Sequence, residues 1–141
     1  MKTKKPLKQE IREEASKMSG LVEVLESNNY SYCDGDCGGS ESVVDVKVDE
    51  SNQVATYILD SHSWSRHGGG VGMSNSVHGY SNGREYLLKE DYYRDDFNKS
   101  GDNFSIEWKT IKSLDVKGDV AYVTVISSRG NKSEKSFKLS N

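Results

Sequence analysis

The chain has 141 residues, a length that fits one domain. Only 33% of them are hydrophobic and 29% are charged, so the core is lean and much of the chain must face water. The net charge of −3 argues against general nucleic-acid binding, which calls for a basic surface, and no apolar run is long enough to span a bilayer.

Lys2, Lys4, Lys5 and Lys8 look like the basic start of a signal peptide. The apolar segment that should follow is replaced by Glu10, Arg12, Glu13 and Glu14. The expectation is a disordered tail over 1–6 on a cytoplasmic protein; a leader already removed would leave the same pattern. Residues 7–27 read as an amphipathic helix, with Leu7, Ile11, Ala15, Met18, Val22 and Leu25 on one face. Gly20 inside that pattern marks a place where the helix can break.

Residues 28–40 have the composition of a loop and hold both cysteines, Cys33 and Cys37. One such pair fits free thiols, metal ligands or a small-loop disulfide. Val43–Val48 then gives a strand, with Val44, Val46 and Val48 on one face. Residues 49–52 turn the chain, and Gln53–Leu59 returns as the second arm of a hairpin.

Residues 60–83 are the longest stretch without periodicity, a Gly/Ser-rich loop of the length that is usually functional or disordered. A short strand over 84–89 and a helix over 89–98 are expected next, the helix with Tyr93 and Phe97 on one face. Residues 103–139 read as a three-stranded meander on which the rest packs. Phe104, Ile106 and Trp108 define its first strand, Val120–Ile126 its apolar centre, and Phe137 with Leu139 its edge. The fold class is therefore α+β in a single domain over 1–141. An N-terminal amphipathic helix packs on a curved antiparallel sheet that ends in the meander. Asp91-Tyr-Tyr-Arg-Asp-Asp-Phe97, followed by three strands with Gly118-Asp119-Val120-Ala121 at a turn, resembles the second half of nuclear transport factor-like or cystatin-like domains. No diagnostic motif accompanies the resemblance and the helical pair of the former is missing, so no family is assigned.

Several motifs invite a chemical reading. His67-Gly68-Gly69-Gly70 and Gly79-Tyr80-Ser81-Asn82-Gly83 match esterase strings. No apolar strand precedes Gly79, however, and His78 is the last histidine, so the acid-then-histidine order cannot follow Ser81. Cys33, Cys37, His62 and His67 have zinc-finger spacings, which makes structural zinc the lesser alternative to thiols and exposed histidines. Asp34, Asp36, Gly39 and Asp45 echo a calcium loop without its bidentate glutamate. The glycines at 68–70 and 72 lack the Lys-Ser/Thr of a phosphate loop, and Asp91, Asp95 and Asp96 read as a solvated charge run.

No coherent catalytic set emerges, so the expectation is a non-enzymatic, protein-binding module of the inhibitor, immunity or adaptor type, without a cofactor. Trp64, Arg66, His67, Tyr80 and Arg84, carried by the 60–83 loop and its exit, are the expected contact residues, because interface energy concentrates in Trp, Tyr and Arg. The alternative is a small-molecule pocket between the curved sheet and the N-terminal helix, lined by tyrosines and by His62 or His67. A third reading is an enzyme acting through a histidine or an aspartate of the 91–96 group.

Overall fold

The computed structural model describes residues 2–33, 35–65, 70–95, 109–118, 120–127 and 130–138. Its largest element is a six-stranded antiparallel sheet whose strands neighbour one another in chain order. They are β1 (Lys2–Lys4), β2 (Tyr30–Cys33), β3 (Cys37–Asp49), β4 (Val54–Ser65), β5 (Gly70–Ser81) and β6 (Arg84–Asp95). Two short helices, α1 (Gln9–Ala15) and α2 (Leu21–Ser27), lie between β1 and β2 in the chain. A separate three-stranded antiparallel sheet follows, made of β7 (Lys109–Lys117), β8 (Val120–Ser127) and β9 (Lys132–Lys138). The chain is thus sheet-rich and α+β. Among the described residues no helix is long and apolar enough to cross a membrane.

The amphipathic stretch is two helices, not one. Gly20 adopts φ +82°, a conformation that side chains rarely tolerate, and a Cβ there would lie 2.9 Å from Tyr80 Oη. The break moves the apolar phase by one residue, so Leu21 is fully buried and Val22 only partly. Helices of 7 residues do not stand alone in water, so packing holds them. Leu7, Ile11, Ala15, Met18, Leu21 and Leu25 share one core cluster with Val43, Val46, Ala55, Tyr57, Leu59 and Tyr80. Asn29, itself buried, ties the entry to this layer. Its amide nitrogen donates to the Lys5 and Pro6 carbonyls at 3.0 and 3.2 Å, and its Oδ1 accepts from Val43 N–H at 3.1 Å. With its exit anchored in this way, Lys2–Lys4 pairs with β2 as a strand, where a disordered tail was expected.

Alternation along β4 turns Ile58 to the opposite face. There Ile58 and Val77 meet Leu114, Ala121, Val123 and Val125 in a second cluster. The meander is therefore a smaller sheet packed on one face of the larger one, and the larger sheet is the frame. β8 is central, as its sequence indicates, with Ala121, Val123 and Val125 buried. Among the described residues, the strand that enters its first turn is Lys109–Lys117. Phe104, Ile106, Trp108 and Leu139 lie outside the described residues. Val44 also departs from expectation: a register shift between Val43 and Asp45 sends it to the second cluster while Val43 and Val46 join the first.

Three further expectations are overturned together. Residues 28–40 are not a loop but hold β2 and the start of β3. Residues 60–65 and 70–81, expected within a loop, are strand instead, the outer part of β4 and the whole of β5, which have 12 residues each. Residues 89–95 continue β6, where a helix was expected. The glycines in these strands face aromatic rings across the ladder: Gly39 faces Tyr32, Gly38 faces Trp64 and Gly79 faces Tyr86. A Cβ would lie 2.8 Å from Tyr32 Oη, 2.8 Å from Trp64 Cζ2 and 2.3 Å from Tyr86 Cζ, so each ring occupies the room its glycine leaves. This cross-strand cover offsets the weak strand preference of glycine. Asn82 and Gly83, with φ +52° and +76°, form the two-residue turn between β5 and β6.

Candidate functional site

At the far end of the β4–β5 hairpin, three neighbouring strands present unusual chemistry. Ser40 on β3 stands between Ser31 on β2 and His62 on β4. One step outward, Gly38 stands between Cys33 and Trp64. These residues share one face by register. All of them but Gly38, together with Thr3, Tyr32 and Gly39, line a cavity of about 480 Å³. The Trp64 side chain has room to lie there because Gly38 offers only backbone. Trp64 is nevertheless 38% exposed, and Tyr32 is 41% exposed.

His62 is held from below. Its Nε2 lies 3.0 Å from Asp60 Oδ2, two residues back on the same face of β4. The other carboxylate oxygen, Oδ1, is buried and has no hydrogen-bond partner among the described residues. The pair fixes the imidazole at the wall of the cavity, where its second nitrogen can meet a polar group of a binding partner.

The residues singled out from sequence fall in different places. Trp64, His62 and Cys33 come together here. Arg66 and His67 lie outside the described residues. Tyr80 is only 6% exposed and packs in the helix-side core, with its hydroxyl beside Gly20, away from this cavity. Arg84 is exposed at the opposite end of the hairpin, about 30 Å from Trp64 at the usual rise per strand residue. Of the zinc set, Cys37 is half-buried on β3 opposite Ser65 and does not line the cavity. Cys33 and Cys37 are not joined in a disulfide, and among the described residues no three His, Cys, Asp or Glu side chains gather as a metal site. Of the calcium string, Gly39 and Asp45 lie within a strand, and Asp34 is outside the described residues. Ser81 ends a strand that turns straight into another, so the strand-to-helix turn of a nucleophile elbow is absent there.

Sequence reading missed Tyr32 and Asp60. The period-2 run Asp60-x-His62-x-Trp64 was the available signal for the latter, hidden by the serines between.

A second polar cluster lies on the helix side of the sheet. The Tyr57 hydroxyl donates to Glu85 Oε2, which also accepts from Asn28 Nδ2 at 3.1 Å. Burial, and then the Glu85 carboxylate, push the Tyr57 phenol far above its ordinary value. Its ring stacks on His78 with centroids 5.2 Å apart, and His78 Nε2 lies 2.7 Å from Ser76 Oγ. Ser76 and Tyr57 are both buried, so this serine–histidine contact reads as core hydrogen bonding.

Comparisons with protein families, with characterised proteins and with solved structures return no match.

Proposed function

We propose that the chain is a non-enzymatic protein-binding module whose contact surface is the far end of β2, β3 and β4. One observation carries this reading: Trp64, large and 38% exposed, lines the cavity beside His62, and Tyr32, 41% exposed, presents a second aromatic ring on the opposite face of the same strand ends. Binding energy concentrates in such aromatic anchors when polar groups surround them. Here Thr3, Ser31, Ser40 and His62 supply the polar surround. The register shifts in β3 and β5 support a curved sheet that wraps the two helices and turns this face outward. The stiffness of paired strands lowers the ordering cost that a mobile loop would incur on binding.

The test is comparative enrichment of binding proteins on immobilised chain. Tyr32→Ala and Trp64→Ala should each lower partner affinity by more than about 1 kcal/mol. Leu87→Ala serves as the control, because Leu87 is 56% exposed and does not line the cavity. A partner retained equally by all four proteins would place the interface elsewhere.

A further inference from the structure

The cavity beside Trp64 has a make-up that narrows what can occupy it. None of its lining residues is Lys, Arg, Asp or Glu. The lysines of β1 belong to the other side of the sheet: Lys2 stands opposite Tyr32 and holds its Nζ 3.9 Å from the centre of the Tyr30 ring. A phosphate or carboxylate would therefore meet no cation among the lining residues, which argues against nucleic acid and anionic glycans. Ile58, Asp60, His62 and Trp64 alternate along β4, so this is the face that carries the small sheet, and the site is distinct from the pocket expected between sheet and helix.

What the cavity offers is a row of hydroxyls beside an indole. Thr3, Ser31, Ser40 and His62 are successive partners across β1, β2, β3 and β4. At the usual strand spacing they cover about 14 Å, longer than a single sugar ring. Each serine or threonine hydroxyl both donates and accepts, as sugar hydroxyls do. His62, held at Nε2 by Asp60, has a second ring nitrogen to offer. One step outward, Trp64 lies against the buried Gly38, where a Cβ would stand 2.8 Å from Cζ2 and 2.9 Å from Cε2. The indole is nevertheless exposed, so it presents ring surface next to the hydroxyl row. A pyranose has a face of C–H bonds whose hydrogens suit the electron-rich face of an aromatic ring.

We infer that this cavity binds a neutral oligosaccharide, with one sugar ring on Trp64 and the hydroxyls of its neighbour on Ser31, Ser40 and His62. The inference rests on the reading of this face as the contact surface and names what the partner presents there, a neutral glycan. The cavity volume, about 480 Å³, lies within the range of small-molecule sites. An apolar ring of the same size would leave the hydroxyl row unpaired and be disfavoured.

The test titrates neutral trisaccharides of glucose, galactose, mannose and N-acetylglucosamine into the full chain, with tri-galacturonate and cyclohexanol as controls. The Trp64 indole N–H and the Ser31, Ser40 and His62 amide resonances are followed. At least one neutral trisaccharide should shift them with half-saturation below about 5 mM. Trp64→Leu, which still covers Gly38, should weaken that binding at least about tenfold, and the milder Ser40→Ala at least about threefold. Absence of a shift from every neutral trisaccharide, equal binding of tri-galacturonate or cyclohexanol, or parental affinity in both variants would overturn the inference. Enzymatic deglycosylation of an enriched partner separates it from the reading above. Retention that depends on Trp64 but survives deglycosylation keeps the contact surface and overturns the sugar as its occupant. Trisaccharide binding without any enriched partner would instead support the sugar site, with a free oligosaccharide as ligand, and leave the protein-binding reading without support.

Discussion

Gly38, Gly39 and Gly79 shape the larger sheet by what they lack. Each leaves room for an aromatic ring from the next strand, and at Gly79 the room is tightest, with Tyr86 Cζ 2.3 Å from where a Cβ would stand. Gly79→Ala should therefore cost about 1–3 kcal/mol by forcing Tyr86 off its site, even though alanine has the better intrinsic backbone entropy. Denaturant unfolding measures this directly, and an unchanged midpoint would mean that Tyr86 does not cover Gly79. Tyr57 carries a second residue-scale expectation. Its phenol is buried and donates to Glu85, so its pKa is raised in the folded state from about 10 in the unfolded chain. A raised pKa contributes stability that is fully present below the unfolded value and is lost as pH rises beyond it. Stability should fall above about pH 10, and Tyr57→Phe should flatten that fall while lowering stability at neutral pH. An identical alkaline slope in the variant would contradict the assignment.

Among the elements, β8 was the most legible from sequence, because an apolar, β-branched strand between two turns has few other readings. Its alternate residues Ala121, Val123 and Val125 are buried between a flanking strand on each side and Ile58 and Val77 beneath. Val123→Asp should thus lower stability by about 3 kcal/mol or more, as an unpaired buried charge does. A midpoint within error of the parent would mean that Val123 is not in the core. The β3–β4 hairpin was legible for a similar reason, and Asp49 fixes its turn through Ser51 and Asn52. The outer parts of β4 and β5 were not legible. Serine and glycine dilute the alternation there, and what makes them strands is pairing with residues distant in sequence. The Asn82–Gly83 turn was visible as a hairpin signal but was absorbed into the esterase string. Of the site, Trp64, Cys33 and His62 were named from sequence. Their convergence was not foreseeable, because it depends on the β2–β3–β4 register.

For the whole molecule, the two core clusters lie on opposite faces of one sheet, with the helices on one side and the small sheet on the other. Beyond these clusters, the distal strands reach out with Trp64 exposed at the cavity and Tyr32 exposed on the opposite face. Recognition by a stiff surface requires that these strands remain paired in the free protein. Amide hydrogen exchange on the isolated chain measures that requirement. Residues 60–64 and 73–77 should exchange at least about a hundredfold more slowly than an unstructured peptide, as paired strands do. Exchange of 60–64 at the unstructured rate would show that Trp64 rides on a mobile loop, and the preformed recognition surface would not exist.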